Sequence, residues 1–146
     1  MRMSEGMTRI HTGTATHQAR GIAPQLFALF LVCHGFAHLV GTAGSLSAID
    51  EGASVPYLAG RWDVSDTGSL RLLAVLWAIA AVAYLVVAIA TSAGLPWARP
   101  ALIAVTMFSL LLSMAALWVS VVGVVIDVAL LAIAIPKHGR LSRAMF

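Results

Sequence analysis

Charge is what this sequence has least of. Only 10% of its 146 residues are charged and 60% are apolar, against about 25% and about 45–50% in soluble domains. A soluble chain this short cannot hide that much apolar surface, which excludes an ordinary water-soluble domain. Cysteine occurs once, at Cys33, which excludes an intrachain disulfide and a cysteine-pair metal site. Lysine also occurs once, and the basic residues gather at ends and turns without interleaved aromatics. The formal charge of +3 is therefore a topology signal and not a nucleic-acid surface. Phosphate loops, dinucleotide fingerprints, a Ser–His–Asp order and paired catalytic carboxylates are missing too.

What the sequence has is long uncharged runs. They are continuous and not alternating, so they predict membrane helices and not a barrel. About 20 residues suffice to span a bilayer. The runs predict an all-α integral membrane four-helix bundle, with helices near residues 23–42, 70–90, 100–119 and 123–135. This transmembrane domain occupies 22–136, between a polar, flexible segment at 1–21 and a basic tail at 137–146. Residues 101–135 carry one charge, Asp127. As a single helix they would reach about 50 Å, against a core of about 30 Å, so a turn is expected near 120–123. Pro136 should end the last helix. The first apolar run follows basic residues, as a signal peptide would, but exceeds the usual length and is expected to be retained.

The connection at 44–69 is long for a helix bundle and is expected to form an interfacial helix or a cap. Tyr57 and Trp62 would settle at the membrane surface, and Asp66 or Thr67 would cap helix two. Seven basic residues fall on the side of the termini: Arg2, Arg9, Arg20, Arg99, Lys137, Arg140 and Arg143. Arg61 and Arg71 fall opposite, with four acids. The positive-inside rule then puts both termini in the cytoplasm and the long loop outside. The excess of Arg over Lys and the abundant Ala suit a multi-pass protein of a bacterial cytoplasmic membrane.

Four polar residues interrupt the apolar runs. His34 and His38 are four apart and share one face of helix one. On the expected boundaries, Asp127 and Arg71 reach the same outer depth. Intramembrane ionisable groups are costly and need partners. Two readings of the His34, His38, Arg71 and Asp127 cluster stand open. It is a network that holds the helices together, as in a structural or accessory membrane subunit. Alternatively it is a proton or ligand site for a lipophilic small molecule, with a small proton-coupled transporter behind it. Whether the chain is an enzyme is left open by both. Metal and haem are not expected: His34, His38 and Asp127 supply three ligands at most, and two histidines on one helix cannot take opposite haem faces. Cys33 points about 100° from His34 and is expected to pack against a neighbour. Thr106, Ser109, Ser113 and Ser120 form a small hydroxyl face suited to helix packing, and Trp77 and Tyr84 read as core or lipid-facing. The expected partners are lipid, a lipophilic molecule, and a second copy or another membrane protein, with no nucleic acid.

FLVCHGFAHLVG in helix one, SLRLLAVLW at the start of helix two and VVIDVALL in helix four resemble the DoxX-like group of small four-span bacterial membrane proteins. The resemblance covers about residues 24–136. Some members are subunits of quinone-linked oxidoreductases, so the resemblance implies a quinone as candidate ligand. It carries over no catalytic residue. Small multidrug exporters are also four-span chains, but they rely on a glutamate in the first helix. Helix one here has none.

Overall fold

The computed structural model describes residues 22–135, apart from the side chains at 117–119. The described residues are mostly helical (80%). The element order is α1 (Ile22–Glu51), β1 (Val55–Tyr57), β2 (Trp62–Val64), α2 (Thr67–Ser92), α3 (Ala98–Ala115) and α4 (Leu117–Ala134). Of these helices α1, α2 and α3 are each long and apolar enough to cross a membrane, while Ser120–Ala134 is a shorter apolar stretch. Large side chains stay uncovered along them, including Val40, Ile89, Leu111 and Val122. These features mark a membrane-embedded, multi-pass chain. The expected cytoplasmic termini and Pro136 lie outside the described residues.

Three boundaries differ from the sequence expectation. Helix α1 does not stop near 42 but continues to Glu51. The extension is held by its core residue Ala48, which gathers with Leu70, Leu73 and Trp77. Just before it, a Cβ on Gly41 would come within 2.7 Å of Trp77 Cε2 and Cγ, so α1 lies directly on that indole. Gly35 does the same one level down, facing Ala81 O and Tyr84 Cβ of α2, each 3.1 Å from a built Cβ. Close packing on α2 thus keeps α1 helical where local composition suggests a loop.

The fold is also not purely α. The remainder of the long connection forms an antiparallel hairpin, pairing Val55 with Val64 and Tyr57 with Trp62. Its tip passes through positive φ at Leu58, Ala59 and Gly60. Leu58 N–H donates to Ala115 O (2.6 Å), tying the tip to the end of α3. Tyr57 is buried under Trp77, not at a surface, while Trp62 is half exposed. Asp66 does cap α2, its carboxylate accepting from Ser69 N–H at 2.8 Å.

The third difference is the joint between α3 and α4. The chain leaves helical geometry first at Ala116, ahead of the expected 120–123, and again at Ser120 (φ −128°, ψ 23°), at the start of that range. Ser120 Oγ donates to Ser113 O and Ala116 O at 2.7 and 2.8 Å, satisfying carbonyls freed by the break. At the opposite end Arg99 donates to Ala134 O (2.8 Å) and Ile135 O (3.2 Å), so the start of α3 closes the end of α4.

The helices pack in chain order, α1 on α2, α2 on α3 and α3 on α4. Two apolar cores result. One gathers Leu31, Val87, Leu102 and Leu130, and the other gathers Tyr57, Leu70, Trp77 and Leu112 beneath the hairpin. Beside these contacts the seam between α1 and α4 keeps open apolar grooves.

Candidate functional site

Asp127 anchors the site. Its neighbours on α4 are apolar, and the side chain is fully buried. Oδ1 lies 2.9 Å from His34 Nε2 and accepts from Tyr84 Oη–H at 2.8 Å. Oδ2 accepts from Ser109 Oγ–H at 2.7 Å. Each of the other three helices therefore contributes one group to a single carboxylate. With the Ser109 proton committed to Asp127, the Ser109 oxygen accepts from His38 Nε2–H at 3.0 Å. Thr106 Oγ1 lies 3.2 Å from Tyr84 Oη and supports it from α3.

Rings surround these bonds. Tyr84 stacks on His38, with centroids 5.4 Å apart and planes 8° apart, and meets His34 edge-on at 4.7 Å. The two imidazoles are 4.9 Å apart in a T-shape. Trp77 stacks on the other side of His38 and donates from Nε1 to Tyr57 Oη at 3.3 Å. A continuous aromatic file therefore links the hairpin to Asp127. The glycines at 35 and 41 make room for it, because any side chain there would push α1 off Tyr84 and Trp77.

Of the four expected cluster residues, the structure brings together His34, His38 and Asp127. Arg71 does not join them; it is exposed on the first turns of α2. The shared-depth argument for it rests on an α1 ending near 42 and an α4 beginning at 123. With α1 running to Glu51 and the kink of α4 at Ser120, Asp127 stands about 10 Å along α4 beyond that kink. The cluster therefore lies near mid-length and not one turn from the hairpin end, beyond reach of the Arg71 turn. Cys33 is exposed and not packed against a neighbour.

Ser109 and Tyr84 are the partners that sequence reasoning missed. The hydroxyl face was visible, but its donors go to a carboxylate and an imidazole and not only to backbone. A tyrosine in an apolar helix carries a phenol that needs a partner when buried, and that was the available signal.

A cavity of about 430 Å³ opens beside the cluster. His34, His38 and Ser113 face it, with Gly41, Trp77 and Tyr57 toward the hairpin and Gly123 and Ile126 from α4. A second, wholly apolar cavity of about 320 Å³ continues along the α1–α4 seam from Ile126 past Phe27, Phe30 and Ile133. Ligand atoms of His34, His38 and Asp127 all lie within 4.8 Å of one another. That donor set of two imidazoles and one carboxylate could present three ligands to a cation, although direct hydrogen bonds already engage them.

Comparison with protein-family models, curated proteins and solved structures found no match to the chain. What the site does must be argued from its chemistry.

Proposed function

We propose that the chain is a four-span bundle of a bacterial cytoplasmic membrane, with cytoplasmic termini, that binds a lipophilic small molecule beside His34, His38 and Asp127. The observation that carries this reading is the cavity: apolar walls along an open helix seam, ending on two buried histidines tied to a buried carboxylate. Small-molecule sites have that composition, a mostly apolar pocket with a few placed polar groups. The open seam gives a hydrophobic ligand a path from the lipid without passing through water. A quinone-type ligand agrees with the DoxX-like resemblance, and an imidazole N–H can donate a hydrogen bond to such a head. A place in a redox assembly follows from that chemistry.

The competing reading, a structural or accessory subunit, rests on a different observation. Asp127 is fully engaged by three helices besides its own, as a pin that sets their register would be.

Native mass spectrometry of the gently solubilised protein, beside a His34→Ala, His38→Ala variant, tests both. A discrete small-molecule mass on the wild type, missing from the folded variant, is the expected result. A bare polypeptide mass in both, after extraction in native lipid discs, would favour the structural subunit. Reporters inserted near Gly52 and after Phe146 should report opposite sides of the membrane.

A further inference from the structure

Among the described residues, three buried side-chain polar atoms have no hydrogen-bond partner: His34 Nδ1, Thr91 Oγ1 and Ser113 Oγ. Two of these residues, His34 and Ser113, line the same cavity. Buried polar groups are satisfied in nearly all native structures, so two unpartnered groups on residues that line one cavity point to something that fills it.

The bonds around His34 define what the occupant must offer. His34 Nε2 and Asp127 Oδ1 are 2.9 Å apart and share one bridging proton. A pair buried among membrane helices is far cheaper when it carries no net charge. Two neutral arrangements exist: imidazolium with carboxylate, or imidazole with carboxylic acid. In each the imidazole keeps a proton on Nδ1, whichever side holds the bridging one. The orphan nitrogen is therefore a donor. Ser113 supplies a second hydroxyl that can donate. Its oxygen stands 3.4 Å from where a Cβ on Gly123 would lie, so the missing side chain there leaves room beside the hydroxyl.

Resting on the binding reading above, we infer that the cavity selects a head group that only accepts hydrogen bonds, a carbonyl oxygen. It takes the Nδ1–H of His34, with the Ser113 hydroxyl as second donor. The apolar remainder of the ligand lies in the adjoining groove past Phe30 and Ile133, which offers it no polar group.

The test uses a shape-matched pair, a 4-alkylacetophenone and the corresponding 4-alkyl-α-methylstyrene, which replaces the carbonyl oxygen by a methylene. The whole protein is titrated with each in alkyl maltoside micelles, which carry no carbonyl, and bound copies are counted by native mass spectrometry. The ketone should bind about tenfold tighter, as one hydrogen bond to a buried donor provides. On adding it, the Nδ1–H signal of His34 in 15N-histidine spectra should move. Ser113→Ala should keep the fold and narrow the preference, and His34→Phe should abolish it. Equal binding of both probes, with an unmoved Nδ1 signal, would overturn the carbonyl assignment while leaving a lipophile site. Binding of neither would remove the site itself.

Discussion

Removing the Asp127 carboxylate should expose how much of the fold depends on it. Asp127→Ala leaves three donors, from His34, Tyr84 and Ser109, without their acceptor. Polar bonds between membrane helices are each worth about 0.6 kcal/mol on average and up to about 1.7, because the unfolded chain in lipid finds other partners. Three of them give a loss of about 2–5 kcal/mol. Asp127→Asn keeps the shape and one acceptor oxygen. With that oxygen toward His34 and Tyr84, the amide nitrogen can donate to Ser109, which must then release its own proton toward His38. This exchange needs the other His38 tautomer but leaves few orphans, so Asn should cost about 1–2 kcal/mol as charge-assisted bonds become neutral ones. The assay is reversible unfolding in mixed detergent and SDS micelles, followed by circular dichroism. A His34→Ala, Asp127→Ala double-mutant cycle then isolates the direct bond. If Asp127→Ala loses less than about 1 kcal/mol, as one average bond would, the carboxylate is not the hub described here.

Two further outcomes follow from the helix contacts. Gly41→Ala should destabilise the protein by about 1–3 kcal/mol, because the added methyl displaces Trp77 in a packed interface, and Trp fluorescence should shift with it. Unchanged stability and emission would mean that α1 does not rest on that ring. The Asp66 carboxyl is held below its usual value, chiefly by the Ser69 N–H bond. Its capping contribution is therefore complete above the ordinary carboxylate range and is lost as pH falls through the lowered value. Asp66→Asn should remove that acid-dependent component from unfolding curves, and an unaltered acid limb would refute the assignment.

Much of this could be read from the chain before folding. Runs of uncharged residues locate α2 and α3 because lipid solvates them whatever they pack against. His34 and His38 declare a shared face by spacing, and Asp127 declares a need for partners by standing alone among apolar neighbours. The illegible parts depend on contacts distant in sequence. Residues 43–51 resemble a loop until Ala48 packs among Leu70, Leu73 and Trp77. The three-residue strands are too short to show a period. The joint at Ala116 has no glycine or proline to mark it. Because the joint and the end of α1 both fall elsewhere than expected, the depth reasoning reached for Arg71 when the true partners were Tyr84 and Ser109.

The tight joint has a consequence for how the chain can vary. Only the short turn from Ala116 to the kink at Ser120 separates the serines of α3 from the aspartate of α4, and the Ser120 hydroxyl bonds pin it. A residue inserted there would turn α4 by about 100°. Asp127 would swing off the seam and Ile126 would take its place. The hydrophobic lengths would be unchanged, and the altered chain would still look like a membrane protein to the insertion machinery. The loss would be one of phase. In this region a shift in length does more damage than a change in composition, and the α3–α4 pair behaves as one indivisible piece.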